Sequence, residues 1–301
     1  MTGKTKRKLV TNVQGYLFTL PIILGVLIFC YVPAVQSLIY SFFNYDGFTL
    51  SSQNFVGFAN YIRIFTKDIE TGKVFTNTII YAVISVPLNL VLGYSLALLV
   101  NHKKRGVFVY RLLFYLPVII PAVVSGLLWK DLFDTQYGIF NDILKSFGLH
   151  ATFFEKASSA MPTLIFTNFF TMGAGMVIWL AAFKNIPVTL YESADLDGGN
   201  YFQKLIYITI PMSTATIFYN LVTGVIGALQ IFTTFIISSG SGGRGPDDSL
   251  YFIAVKIYNE AFTRFGNMGY ACALGWVLFI FIAILSALIF KFNGWVQYME
   301  D

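Results

Sequence analysis

Seven polar or small residues recur along one long apolar segment, residues 205–237, at alternating spacings of three and four. They are Ser213, Thr216, Asn220, Thr223, Gly227, Gln230 and Thr234. Residues at this spacing lie along one side of a helix. Their amides and hydroxyls can line a water-filled path and bind the hydroxyls of a sugar, or they can serve close packing between membrane helices. Both interpretations stay open, and the amides favour the path because an amide facing lipid is costly.

Two further amides lie in other apolar segments. Asn89 is in segment 76–100, and Asn168, with Thr171 nearby, is in segment 161–183. We treat them as additional candidates for the same polar path. The apolar segments contain no Asp, Glu, Lys, Arg or His, whereas proton-coupled transporters normally carry an ionisable residue within the membrane. The pattern therefore favours a neutral, hydroxyl-rich solute.

The sequence offers little for catalysis or for metal binding. The glycine-rich residues 240–245 lack the Gly-Lys-Ser/Thr ending of a phosphate-binding loop, and we predict a flexible loop there. His102 and His150 are isolated and lack metal-ligand spacing. No catalytic pair occurs inside the apolar segments, which disfavours an intramembrane enzyme. We expect no metal site and no cofactor bound by this chain.

The composition is that of a membrane protein. Hydrophobic residues make up 56% of the 301 residues and charged residues only 12%, about half the charge of a usual soluble domain. The net charge of +5 is explained by cytoplasmic loops rather than by a nucleic-acid partner. The chain is therefore expected to lie in membrane lipid.

Six apolar segments are each long enough to cross a bilayer. They are residues 16–40, 76–100, 112–129, 161–183, 205–237 and 269–290. The first follows basic residues, as in a signal peptide, but it is too long for one and no cleavage site follows it closely. We predict an all-α integral membrane protein with six transmembrane helices in a domain at 16–290, between tails at 1–15 and 291–301.

Basic residues predict the orientation of the spans. The two tails and the short segments 101–111 and 184–204 carry more than half of the 20 Lys and Arg residues. These are Lys4, Lys6, Arg7, Lys8, Lys103, Lys104, Arg105, Arg111, Lys184, Lys204 and Lys291. The positive-inside rule then places both termini in the cytoplasm. The connections 41–75, 130–160 and 238–268 are expected to form small helices and loops at the outer surface.

The cytoplasmic segment after the fourth span has clear helix signals. Pro187 suits a helix start, and residues 188–196 can form two to three turns. Asp197-Gly198-Gly199 should end that helix, since glycine accepts a left-handed conformation. Asn200 can cap a second helix leading into the fifth span, and Pro211 can bend it.

The first of these helices has the features of a docking element. It combines the apolar Tyr191, Ala194 and Leu196 with acids, as does a helix that fits a partner's groove. The alternative is a helix resting on lipid head groups. The acids Glu192, Asp195 and Asp197 disfavour that alternative because anionic lipid repels them.

Residues 192–199, Glu-Ser-Ala-Asp-Leu-Asp-Gly-Gly, resemble the EAA motif of ABC importer permeases. The following Ile208, Ile210 and Pro211 match that motif's apolar-Pro pair, whereas Ser193, Gly199 and Leu205 depart from the usual residues. Residues 55–61, 111–129 and 138–141 resemble other segments of the family. The resemblance covers nearly the whole chain from Tyr16 onward and is nearest to permeases of carbohydrate importers.

The resemblance implies a coupling mechanism. The helix around Glu192 would sit in a cleft of a cytoplasmic ATPase subunit, where Glu192 would meet a basic residue. Gly198 would be needed for the turn, which Asp197 would cap or brace. The residues implied in ATPase coupling are Tyr191, Glu192, Ser193, Ala194, Asp197 and Gly198.

The resemblance also implies partners and a location. The partners are a second homologous permease subunit, two ATPase subunits that bind ATP and Mg, and an extracytoplasmic solute-binding protein. This chain would be a non-catalytic subunit in the inner or cytoplasmic membrane that takes up a carbohydrate. Importers of another solute class, such as a polyol or glycerol phosphate, and a secondary transporter remain the alternatives.

Overall fold

The computed structural model describes residues 3–48, 54–101, 106–264 and 266–296. The chain forms two compact units. The first holds residues up to Lys67 together with Glu260–Val277, and the second holds Asp68–Asn259 and the residues from Leu278 onward. Lys103, Lys104 and Arg105 lie outside the described residues, so the orientation inferred from basic residues stays a prediction.

The described chain is mostly helical. Its α-helices are α1 (Gly3–Val26), α2 (Val32–Tyr40), α3 (Ala59–Thr66), α4 (Ile69–Val100), α5 (Val107–Ile119), α6 (Ala122–Leu132), α7 (Ile139–Ser146), α8 (Ala157–Phe166), α9 (Asn168–Thr171), α10 (Gly173–Asn185), α11 (Val188–Leu196), α12 (Tyr201–Lys204), α13 (Ile210–Met212), α14 (Thr214–Leu229), α15 (Thr234–Ile237), α16 (Ile253–Tyr258) and α17 (Met268–Lys291). Wider π-helical turns occupy Leu27–Tyr31, Leu205–Thr209 and Asn259–Thr263.

A short antiparallel ladder corrects the all-helical prediction. Strand β1 (Phe43–Asn44) pairs with β2 (Asn54–Phe55) in the first unit. The Asn60 amide reinforces β1 by donating to the carbonyls of Ser41 and Phe43 at 2.9 and 3.0 Å. Tertiary hydrogen bonds of this kind are not visible in local sequence patterns.

Among the described residues, three continuous helices are long and apolar enough to cross a membrane. They are Gly15–Tyr40, Ile69–Val100 and Met268–Lys291. Three bent pairs also pass as single spans: Val107–Ile119 with Ala122–Leu132, Ala157–Thr171 with Gly173–Asn185, and Tyr201–Met212 with Thr214–Leu229. The described chain thus has three candidate spans, or up to six if each bent pair counts as one.

The predicted third span, residues 112–129, is not a straight helix. Its two halves meet at an angle of 99°, because Pro121 follows Ile120, whose backbone is extended (ψ 124°). A residue before proline is disfavoured in the helical conformation. The first half begins earlier than predicted, at Val107, and the second ends later, at Leu132.

The predicted fifth span, residues 205–237, is not one continuous helix, and the bend expected near Pro211 is present. The chain bends by 64° at Ser213, after Pro211, and helix α14 ends at Leu229. Gln230 is therefore its C-cap, and Thr234 belongs to the separate short helix α15. The polar stripe follows one helix only from Thr216 to Gly227.

Helix α4 organises the second unit. Asp68 caps its start by accepting from the Glu70 amide at 3.0 Å. Its buried residues recur every three or four positions and pack against α10 and α14. Two apolar clusters result. The Phe252 cluster centres on Phe252, Leu250, Ile253 and Leu164, and the Trp179 cluster on Trp179, Leu96, Met176 and Phe183.

The connection after the fifth segment is partly buried within the protein. Leu250, Phe252, Ile253 and Val255 are completely buried. The glycine-rich residues 240–245 are not simply a flexible loop, because the Arg244 guanidinium bonds both Glu70 (2.7 Å) and Asp248 (2.7 Å).

Lys256 anchors this segment although its side chain is fully buried. Its Nζ lies 2.9 Å from carboxylate oxygens of both Asp68 and Glu70. Burial alone would lower the pKa of Lys256, but the hydrogen bonds to the two carboxylates outweigh it and raise the pKa. Hydrogen bonds to Asp248 and Glu70 likewise raise the pKa of Arg244. We call Asp68, Glu70, Arg244, Asp248 and Lys256 the ion cluster.

We expect Lys256→Met to destabilise the protein by about 3 kcal/mol or more, because it leaves Asp68 and Glu70 without their buried cation. Thermal unfolding in detergent measures the change. The matched control is Lys145→Met, which removes the exposed pair with Asp142 and should cost no more than about 1 kcal/mol. Equal effects of the two substitutions would contradict this role of the ion cluster.

Candidate functional site

Helix α11 forms where the sequence predicts it. It begins at Val188, directly after Pro187, and ends at Leu196. The next helix, α12, has the predicted Asn200 cap. The backbone N–H of Gln203 donates to Asn200 Oδ1 at 2.9 Å, and the backbone N–H of Asn200 donates to Gln203 Oε1 at 2.7 Å. This reciprocal capping box fixes where the fifth segment starts.

Two glycines make the turn between α11 and α12. Gly198 has a φ of +77°, a conformation that costs glycine little. The Gly199 amide donates to the Ala194 carbonyl at 2.7 Å, and a Cβ on Gly199 would lie 2.8 Å from that oxygen. Gly199, where the family usually has alanine, therefore lies in a turn that leaves no room for a Cβ. Asp197 is exposed beside it.

One face of α11 is open. Glu192, Ser193 and Asp197 are exposed, and the apolar Val188 and Leu196 are 66% and 90% exposed. Leu196 is thus available as an apolar anchor, as predicted. Val188 joins it, although the sequence analysis did not single it out. Exposed apolar side chains rimmed by acids are typical of a helix that binds a groove.

Tyr191 and Ala194 lie differently from the other residues implied in coupling. Both are half-buried, whereas the others are exposed, and the Tyr191 hydroxyl is 2.9 Å from the Thr209 hydroxyl. The Tyr191 ring packs against the Trp179 cluster. Tyr191 therefore holds α11 to its own chain, while the open face is formed by its neighbours.

Two adjoining cavities lie among α4, α9, α10 and α14. The first cavity has a volume of about 400 Å³ and the second about 570 Å³. They share the wall residues Tyr81, Thr171, Ala174, Gly227 and Ile231. The described residues that line them carry no charged side chain. Together they have the size of a small-molecule site.

Seven of the ten candidate path residues line these cavities, with Thr171 and Gly227 on the shared wall, whereas Ser213, Thr216 and Thr234 do not. Asn89, Asn220 and Thr223 line the first cavity, and Asn168 and Gln230 line the second. Thr234 does not belong to either wall. Its side chain is completely buried because α14 ends before it and the chain turns into α15.

The cavity walls hold polar groups with spare hydrogen-bonding capacity. Among the described residues, Ser85 Oγ and Asn168 Nδ2 are buried and have no partner of normal hydrogen-bond geometry, and Tyr81 lies beside both. Buried polar groups in native proteins normally bind something. Water or a polar ligand in the cavities would satisfy them.

Three aromatic wall residues were missed by the sequence analysis. Tyr81 borders both cavities, Trp179 the first and Trp129 the second. Aromatic faces with a few polar groups are common in small-molecule sites. The only signal in the sequence was that these aromatic residues lie inside apolar segments. Aromatic residues in such segments more often pack against other helices or lie at the membrane–water interface.

A third cavity of about 320 Å³ lies beside the second. Ile237 borders both, and the third cavity is also lined by the charged Lys130, Asp134 and Glu155. Burial raises the pKa of Asp134, but the hydrogen bonds from the backbone amides of Gln136 and Tyr137 together outweigh it and lower the pKa. Within the described ranges, no group of three or more His, Cys, Asp or Glu is placed to hold a metal ion.

Comparison with known proteins gives close full-length relatives. The chain is 36% identical over 292 residues to the probable ABC transporter permease protein YesP of Bacillus subtilis, covering 95% of this chain and 93% of that protein. It is 31% identical to the diacetylchitobiose uptake system permease protein NgcF of Streptomyces coelicolor, covering 97% and 86%. The chain matches no protein-family model.

A solved structure has the same fold. A chain of a bacterial alginate ABC transporter, crystallised with an alginate pentasaccharide-bound periplasmic protein, superposes with a TM-score of 0.83. The match covers 96% of both chains at 21% identity. At that identity the similarity supports a shared fold and nothing further.

We expect a cysteine at Ala174 to react readily with a small, charged methanethiosulfonate reagent, because Ala174 lies on the wall shared by the first two cavities. The native Cys30 and Cys272 are first replaced by alanine. The control is Ala97→Cys, a completely buried site in the Trp179 cluster, which should react at least about tenfold more slowly. Equal labelling rates would contradict a water-accessible cavity.

Proposed function

Since the chain belongs to the family of ABC transporter permeases that includes sugar permeases, we propose that it takes up a neutral carbohydrate by ATP-driven alternating access. Each bent helix pair counts as one span, which gives six spans with both termini in the cytoplasm. The chain is a non-catalytic subunit of the cytoplasmic membrane. Its partners are a second homologous permease, two ATPase subunits that bind ATP and Mg, and an extracytoplasmic solute-binding protein.

The uncharged polar lining of the two cavities carries the proposal for the solute. Amides at Asn89, Asn168 and Asn220 lie on walls that also include Tyr81 and Trp179. An anionic solute would need a fixed cation to offset its loss of hydration, whereas sugar hydroxyls need donors and acceptors. Ser85 Oγ and Asn168 Nδ2 supply such groups.

Relatives agree with this class of solute. They include permeases named for lactose and for trehalose and maltose. Another relative is named for sn-glycerol 3-phosphate. In this chain Lys130 lines the third cavity, whereas the described residues that line the first two cavities include no cation. A phosphorylated solute is therefore the less favoured alternative.

The open face of α11 supports the proposal for the ATPase. Val188 and Leu196 supply apolar anchors, and Glu192 and Asp195 supply charge, although the Lys204 ammonium already pairs with Asp195. ATP binding closes the two ATPase subunits and displaces α11. Because α12 and the fifth segment follow through a closed glycine turn, that displacement reaches the helices around the cavities.

We expect Glu192→Arg to remove the ATPase from the complex, because it places a cation opposite a basic partner residue. Affinity purification of the tagged chain in mild detergent, with mass spectrometry, measures the loss. Asp142→Arg, a charge reversal on α7, is the control and should leave the ATPase bound. Retention of the ATPase by Glu192→Arg at wild-type levels would contradict docking through α11.

We expect Asn220→Leu to raise the KM for uptake by about three- to tenfold, the value of one or two lost hydrogen bonds. Uptake of labelled lactose, trehalose, maltose and diacetylchitobiose is measured in cells, with sn-glycerol 3-phosphate as the charged comparison. Tyr219→Phe, on an exposed neighbour away from the cavities, should leave KM unchanged. Uptake of glycerol phosphate alone would overturn the neutral-sugar proposal.

A further inference from the structure

A partly buried pair of hydroxyls joins α11 to the start of the fifth segment. The Tyr191 hydroxyl is 2.9 Å from Thr209 Oγ1. Thr209 is only 7% exposed and ends the π-helical turn Leu205–Thr209. A hydrogen bond is directional and costly to break where no water can replace it. Displacement of α11 therefore acts on this turn through Tyr191.

A second, partly buried hydroxyl pair lies one turn farther along. Ser213 Oγ donates to the Thr209 carbonyl at 2.7 Å and lies 3.1 Å from the Tyr94 hydroxyl of α4. Ser213 is 1% exposed and occupies the 64° break between α13 and α14. Tyr94 thus contacts the fifth segment where its helix is interrupted. A π-helical turn next to a break is a place where helices can change arrangement.

The Tyr94 ring continues the contact to the cavity wall. It packs edge-on against Trp179 and Phe183, with ring centres 5.0 and 5.1 Å away. Trp179 is 1% exposed and lines the first cavity. Because close-packed interiors transmit displacement, movement at Ser213 and Tyr94 changes the position of Trp179.

We propose that Tyr191, Thr209, Ser213 and Tyr94 form a hydroxyl relay that transmits displacement of α11 to Trp179 on the wall of the first cavity. They are positioning residues, and the inference rests on the proposed docking of an ATPase on α11. The ion pair between Lys204 and Asp195 also joins α11 to α12. Its Asp195 side chain is 64% exposed, and such pairs contribute little, so the relay, in which Thr209 and Ser213 are buried, is the stronger connection.

The relay is tested in the complete purified complex with Ala174→Cys as the reporter, in the background lacking Cys30 and Cys272. The rate of labelling by the methanethiosulfonate reagent is measured without nucleotide and with ATP plus vanadate. Tyr191→Phe should reduce the nucleotide-dependent change in that rate by about fivefold or more. ATP hydrolysis and the thermal midpoint should stay near those of the parent complex.

Three further variants separate transmission from folding. Thr209→Val should act like Tyr191→Phe, and the two together should have no larger effect than either alone, since both remove the contact between Tyr191 and Thr209. Thr209→Val also removes the longer hydrogen bond, 3.3 Å, from Thr209 Oγ1 to the Lys204 carbonyl. Thr209→Ser keeps the hydroxyl and should restore the response. Tyr207→Phe removes a hydroxyl from a neighbouring side chain that is 76% exposed and should change nothing.

The outcomes distinguish the relay from the function on which it rests. A parent complex that responds to nucleotide, with Tyr191→Phe and Thr209→Val responding equally well, overturns the relay and leaves the importer proposal intact. Additive effects of the two variants overturn it as well. Failure of the parent chain to purify with an ATPase overturns the proposed function itself.

Discussion

A hydrocarbon environment provides no hydrogen-bond partner for an interrupted helix, so each break must face protein or water. The bent helix pairs meet this constraint by placing interruptions inside the second unit. Ile120, at one break, lines the second cavity, and Thr171, at another, lines both the first and the second. At the remaining break, Ser213 is buried against Tyr94. The cavities and the breaks are therefore parts of one arrangement.

The same constraint separates charged from uncharged polar groups. The ion cluster joins the start of α4 to the segment before α16, and each buried charge in it has an opposite charge nearby. The first two cavities instead carry amides and hydroxyls. Charges that are already paired hold helices in place, whereas uncharged groups with spare hydrogen bonds can exchange water for a solute. The paired charges and the proposed solute-binding groups therefore lie in different regions of the second unit.

Local signals predicted the bounds of α11 and the cap of α12 well. Pro187, Gly198 and Asn200 act through their own backbone geometry, so the bounds of α11 and the cap of α12 follow from short-range chemistry. The apolar segments were also located, since hydropathy sums over many residues. These features need no knowledge of which helices touch.

Features that depend on tertiary contacts were not predictable in the same way. Hydropathy could not reveal the bend at Pro121 or the end of α14 at Leu229, which removed Thr234 from the predicted path. The burial of Lys256 depends on Asp68 and Glu70, nearly two hundred positions away in the sequence. The sequence suggested Tyr191 as an anchor for a partner. Its contact with Thr209 forms only when α11 folds back onto the fifth segment, so the sequence could not reveal it.

The central claim is that ATP, acting through α11, drives a solute through cavities in this chain. The most direct test is concentrative uptake into proteoliposomes holding the complete complex, compared with proteoliposomes holding this chain alone. We expect the complex, supplied with solute-binding protein and ATP, to accumulate a neutral saccharide above its external concentration, and this chain alone to accumulate none. Accumulation by the chain alone under an imposed proton or sodium gradient would contradict the account and indicate a secondary transporter.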